Sequence, residues 1–367
     1  MNQKRVVYYD FARVFAIISI SFNHAVNRVF DNYVDTQAEF QDLPYRLSVI
    51  KAGLSVFSRL GVPIFLMLTG ALILSKAFNS KDDLKRFYTH NWLRIFITTE
   101  IWLVIYFWFF YYLCPGTYLL DFTQDELIRC FINTLLFTDQ ATEGLMWYMN
   151  MIIPLYALLP VFAVFVSKKG FGKYLALPVF FTVLVTIVVY DVNRYLAITD
   201  PEAVFTNELY APLTYFTVYI LAGYFVAKGG LRKVPGIIIF AATVGVFYWA
   251  VRYQLWFYEG PTNDLISYQS VPVMLCSLTL FDLFRRMDGK VMGFFHGILS
   301  HISRRCFGIY FLHIIIMEIM CWHYEFPGFG PLDHIAVYQV VSVVGALLII
   351  EALSIIPPVR KYVFMIK

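Results

Sequence analysis

Two residues in the stretch YYDFARVFAIISISFNHA, residues 8–25, can do chemistry inside a run that is otherwise apolar: Arg13 and His24. Eleven steps of 100° return His24 to within about 20° of the Arg13 face, and a rise of 1.5 Å per residue separates the two by about 16 Å along the helix. A guanidinium offers a planar fork suited to phosphate, and an imidazole exchanges a proton near neutral pH. The pair therefore suits an elongated ligand with an anionic head at one end and a reacting group at the other. It calls for one enclosed route joining Arg13 to His24. Two structural alternatives stay open: Arg13 snorkelling to headgroups or pairing with Asp10, and His24 serving as an interior hydrogen-bonding group.

Other polar residues stand out because ionisable groups at membrane depth are costly and usually face a protein interior. Arg59 lies in an apolar run just before GVP, where Pro63 loosens the helix, and could hold an anionic part of a bound ligand. His313 and Glu318 are five positions apart, hence about 140° apart around a helix, and do not form a shared-face dyad. His313 is a substrate-site candidate or an interhelical hydrogen bond. Trp147, Tyr148 and Asn150 begin an apolar run where aromatic rings could stack on a sugar, although interfacial Trp and Tyr occur in any membrane protein. Lys85, Arg86, Arg94, Arg304 and Arg305 could line a phosphate-binding rim, or simply be loop cations. Glu351 has no evident partner.

The elements that must position these groups are membrane helices. Of 367 residues, 59% are hydrophobic and 15% charged, with 36 Phe and 26 Tyr, too apolar for a chain surrounded by water. Apolar runs of the roughly 20 residues needed to cross a bilayer occur at 9–29, 48–76, 87–114, 144–167, 173–192, 208–228, 233–256, 267–286, 303–325 and 335–357. The fold class is thus an all-α integral membrane protein, a polytopic bundle of about ten helices forming one domain over 1–367. With the N-terminus inside, all of the 29 basic residues except Arg28, Arg46, Lys51, Arg59, Arg129, Arg194 and Arg252 fall on the cytoplasmic side, which puts both termini there. The first run leads into an acidic loop and reads as an uncleaved span. The five scattered cysteines suggest neither a disulfide framework nor a metal site. A net charge of +4 is small, and no nucleic-acid partner is expected.

Several segments together resemble the acyltransferase 3 family of bacterial membrane proteins. Arg13 and His24 match its Arg-x10-His signature. SRLGVPIFLMLTGALIL, GLMWYMNMIIPLYALLPVF, YFTVYILAGYFVAKG and ISRRCFGIYFLHIIIME are similar to its later segments, in the expected order. The chain departs from the family's RxxR pair, carrying Asn91 three residues before Arg94. The resemblance implies an acyl-CoA donor, usually acetyl-CoA, taken from the cytoplasm without a permanently bound cofactor. It implies an acceptor hydroxyl on a surface glycan or lipid-linked saccharide, and a bacterial inner or plasma membrane location among membrane lipids. His24 would be the general base and Arg13 the anchor for coenzyme phosphates. The other class compatible with buried charges is a transporter or flippase for a polar solute, although no matching second half is present.

Overall fold

The computed structural model describes residues 6–33, 44–113, 118–138, 145–168, 170, 172–205, 211–258, 265–288, 293–324 and 327–366. Among them there are helices and connecting turns but no strand. The helices are α1 (Val7–Tyr33), α2 (Tyr45–Arg59), α3 (Gly61–Ile73), α4 (Lys81–Phe87), α5 (Leu93–Leu113), α6 (Gln124–Leu135), α7 (Trp147–Ser167), α8 (Ala176–Thr182), α9 (Val189–Thr199), α10 (Tyr215–Ala227), α11 (Gly236–Tyr258), α12 (Val271–Arg286), α13 (His296–His323) and α14 (Pro331–Leu353). Wide π turns at Tyr88–Trp92 and Val183–Val188 join α4 to α5 and α8 to α9, so each pair runs as one rod.

Seven stretches among the described residues are long and apolar enough to cross a membrane: Tyr45–Ile73, Lys81–Leu113, Trp147–Ser167, Gly172–Thr199, Gly236–Phe257, His296–His323 and Pro331–Leu353. The other three expected spans fall on helices that do not meet this measure. The helices α10 and α12 have only 13 and 16 residues, and α1, at 27 residues, carries Asp10, Arg13, Asn23, His24 and Arg28 among its apolar side chains.

Despite that polarity α1 is the centre of the bundle, packed against α2, α3, α12, α13 and α14. Its small residues Ala12, Ala16, Ser19, Ser21 and Ala25 are fully buried, which lets neighbouring backbones approach closely. One such approach explains Gly61: a Cβ there would lie 2.7 Å from the carbonyl oxygen of Ala16. The chain breaks between α2 and α3 at this point, because Pro63 has no N–H to continue the ladder. The Ser19 hydroxyl lies 3.1 and 3.0 Å from the Phe57 and Ser58 carbonyl oxygens and satisfies backbone that lipid could not.

Two further arrangements fix the site. A Cβ on Gly70 would sit 1.8 Å from the Ile220 carbonyl oxygen, and one on Gly223 would sit 1.9 Å from that of Met67, so α3 and α10 cross with backbones in contact. The helices α1 and α13 run parallel along their whole length, as their contacts advance together: Arg13 meets Ser303, His24 meets His313, and Arg28 forms an ion pair with Glu318. The first and last rungs pair polar groups that hydrocarbon could not satisfy.

Candidate functional site

Arg13 opens onto a cavity of about 500 Å³ between α1, α3, α5, α7 and α13. The guanidinium Nη1 donates to the Ser303 hydroxyl at 2.6 Å and lies 3.4 Å from Asp10 Oδ1, while Ser303 in turn donates to the same carboxylate oxygen at 2.6 Å. The pairing with Asp10 is therefore real, yet it orients the arginine instead of withdrawing it: the side chain is 29% exposed, whereas Asp10 is buried. Lys76, His90, Asn91, Arg94 and Arg304 complete a polar, mostly basic rim, and Phe65, Leu68, Met149, Ile152 and Phe307 supply apolar wall.

The π turn before α5 places part of this rim. Tyr88 donates its hydroxyl to the Ala157 carbonyl at 2.8 Å and the Trp92 indole N–H donates to that of Ile153 at 3.0 Å, docking the turn against α7. On the other side of α5, Arg94, Thr98 and Trp102 donate to the carbonyls of Lys361, Tyr362 and Val363, tying down the C-terminal segment, whose Met365 also lines the cavity.

His24 opens onto a second, smaller cavity of about 80 Å³, shared with Asn23, Arg59, Trp147 and Tyr268. The break between α2 and α3 leaves Arg59 at a helix end, where Nη1 lies 3.3 Å from the Tyr268 hydroxyl and the guanidinium carbon 5.0 Å from the Tyr268 ring. Its Nε is buried and makes no hydrogen bond among the described residues. Trp147 stacks on Tyr268 at 5.5 Å between centroids, giving a flat aromatic wall beside the cation. The ring of His313, which does not line this cavity, lies 5.4 Å from that of His24 between centroids.

Where one continuous route from Arg13 to His24 is expected, each of the two residues borders its own cavity. The two cavities adjoin, since both are lined by the same two side chains, Tyr148 of α7 and Tyr310 of α13. Their rings lie 5.9 Å apart at 54° and form a wall common to both chambers. Tyr148 and Tyr310 are the wall between a roomy basic pocket and a small pocket holding an imidazole and a guanidinium.

Of the residues singled out by sequence, the structure brings Arg13, Arg94 and Arg304 together in one chamber and His24, Arg59, Trp147 and Tyr148 in the other. Lys85 and Arg86 do not join them; both are exposed on α4 and line neither chamber. Arg305 instead pairs with Glu351, which also meets His301 at 2.9 Å, so the charge that had no evident partner has two. Asn150 faces neither chamber. His313 and Glu318 do not meet, as their spacing requires, yet both reach α1, at His24 and Arg28.

Sequence reasoning passed over Lys76, His90, Ser303, Tyr268 and Tyr310. Tyr310 was the most legible of these, since it stands three residues before His313 and so shares its helix face. Lys76 closes an apolar run, where a cation reads as a topology signal. Asn91, where the family pair has arginine, does line the basic chamber, so the departure changes a lining position in a chamber that Lys76, His90 and Arg94 also line.

Chemically, the larger chamber can hold an extended anionic molecule, and the smaller can take a proton from a hydroxyl beside a cation and two aromatic rings. Comparison with curated proteins and with solved structures returned no match. A comparison with protein families matches residues 6–351, nearly the whole chain, to an acyltransferase domain. The chain belongs to the acyltransferase 3 family, as a multi-pass helical membrane member.

Proposed function

We propose that this protein transfers an acyl group, acetyl in the first instance, from acyl-CoA to a hydroxyl of a surface or lipid-linked glycan. In this reading the donor enters the Arg13 chamber from the cytoplasm of a bacterial cell, and its phosphates lie among Arg13, Lys76, Arg94 and Arg304. The acceptor reaches His24 from the opposite side, with a sugar ring against Trp147 and Tyr268 and an anionic or hydroxyl group at Arg59. The matching topology is ten spans with both termini cytoplasmic, in which α1, α10 and α12 cross the membrane as polar or short helices sheltered by their neighbours.

The reaction then needs few parts. His24 takes the acceptor's proton as its oxygen attacks the thioester carbonyl. The C–S bond breaks, and the proton passes from His24 to the departing thiolate. Arg59 favours negative charge developing on the carbonyl oxygen. For the thioester to meet His24, the Tyr148–Tyr310 wall has to part by the width of an acyl chain.

The observation that carries the reading is the pair of adjoining chambers, one larger and rimmed by basic side chains, the other small and bordered by an imidazole. The test is His24→Ala in cells lacking the wild-type protein, with acetyl content measured on purified surface polysaccharide. Loss of acetylation by a variant inserted at wild-type level is expected; acetylation at the wild-type level would rule out His24 as the base.

A further inference from the structure

His313 is fully buried, and its Nδ1 lies 2.8 Å from the Ile309 carbonyl oxygen. A carbonyl only accepts, so Nδ1 carries the proton and the lone pair of the neutral ring is on Nε2. That Nε2 has no hydrogen-bond partner among the described residues, an arrangement that buried polar atoms ordinarily avoid. The neighbouring ring is His24, 5.4 Å away between centroids and tilted by 56°. His24 also borders the small chamber, so one imidazole meets both that chamber and the ring that carries the unpartnered nitrogen.

We infer that His313 is a positioning residue for the base: its Nε2 accepts a hydrogen bond from the ring nitrogen of His24 that faces away from the chamber. This rests on the proposed role of His24. Holding a proton on that nitrogen leaves the lone pair of His24 on the chamber side, where the acceptor hydroxyl arrives. When His24 takes the hydroxyl proton it becomes an imidazolium with two N–H groups. The inner one donates to His313 while the outer one returns its proton to the coenzyme thiolate as the C–S bond breaks. Protons balance over the cycle, and His313 neither gains nor loses one. The same acceptor fixes the resting tautomer of His24 and contributes most during turnover, when the imidazolium carries charge. A modest rotation of the His24 ring about its broad χ2 torsion closes the contact.

The test uses the full-length protein in lipid vesicles, acetyl-CoA as donor, and as acceptor the surface polysaccharide purified from cells lacking the protein. His313→Phe keeps the ring volume and removes both nitrogens. It is expected to lower kcat about ten- to hundred-fold, part of what a general base supplies, with KM for both substrates within about two-fold of wild type. His313→Gln, which restores an acceptor at similar reach, should recover most of that loss. In a His24→Ala background His313→Phe should cost nothing more, because the two act as a unit. Wild-type kcat in His313→Phe would overturn the inference. So would a Gln variant no better than Phe in protein that unfolds at the wild-type temperature, or an equal loss on the His24→Ala background. If His313→Phe does not fold, His313→Gln decides alone, within about three-fold of wild type supporting the inference and a His24→Ala-like loss overturning it. Full activity of His24→Ala itself would overturn the base reading and the inference with it, so the two failures are distinguishable.

Discussion

Replacing Arg13 by lysine separates the two things a guanidinium offers a phosphate, its charge and its fork. Arg13 reaches the large chamber at the inner edge of the basic rim, and its Nη1 is already held by Ser303 at 2.6 Å and by Asp10 at 3.4 Å. Lysine keeps the positive charge but loses one of two parallel donors. A hydrogen bond to a charged group contributes about 1.5–3 kcal/mol, and the 29% exposure of the side chain favours the lower end. Each 1.4 kcal/mol is a factor of ten, so Arg13→Lys should raise KM for acetyl-CoA about ten-fold, and Arg13→Gln, which also loses the charge, about hundred-fold. Asp10 stays paired in both variants, since Ser303 donates to it independently of the arginine. The assay is initial transfer rate against acetyl-CoA concentration in vesicles, repeated with an acyl-coenzyme A lacking its terminal phosphate. If Arg13 holds that phosphate, deleting the phosphate and deleting the arginine should not add. Unchanged KM in both variants, or a fall in kcat at constant KM, would refute the assignment.

Other consequences follow from the same geometry. Lys85→Gln with Arg86→Gln should leave KM for acetyl-CoA within about two-fold of wild type, because these exposed cations lie outside the chamber; a ten-fold rise would place the donor on the surface of α4 instead. Gly70→Ala should lower the melting temperature of the purified protein and its insertion yield, since its Cβ would meet backbone at 1.8 Å and force α3 from α10, an overpacking cost of at least about 1–3 kcal/mol; a melting temperature within experimental error of wild type would show that the helices can separate freely. Tyr310→Leu should open the wall between the chambers and raise acetyl-CoA hydrolysis in the absence of acceptor, read as free thiol released. Hydrolysis no higher than in wild type would mean that Tyr148 closes the passage alone.

The sequence displayed the class of fold through its apolar runs, and it displayed Arg13 and His24 because their types are expensive in an apolar segment. Arg59 was legible for the same reason, and Pro63 marked the helix break that exposes it. The wall of Tyr148 and Tyr310 was not, since tyrosine is common in this chain and only packing tells a ring that closes a cavity from one that faces lipid. Basic residues divided in a similar way. Lys76 and Arg94 line the basic chamber while Lys85 and Arg86 line neither chamber, yet all four satisfy the same charge asymmetry between loops. A rule about membrane sidedness carries no information about helix azimuth.

The polarity that disqualifies α1 by hydropathy is what the rest of the bundle is arranged to shelter. Arg13, His24 and Arg28 each meet α13, at Ser303, His313 and Glu318, so the α1–α13 seam holds a ladder of polar contacts where a hydrocarbon-facing helix would have none. Two rungs are matched pairs: the ion pair of Arg28 with Glu318, and Arg13 with the Ser303–Asp10 relay. The middle rung differs, because the His313 Nε2 has an unfilled hydrogen-bonding capacity. Rungs that only held the helices together would gain from being complete, since an incomplete one sacrifices stability. The one incomplete rung of these three stands at the residue that borders the small chamber, where the proposed base would use an acceptor for its second N–H.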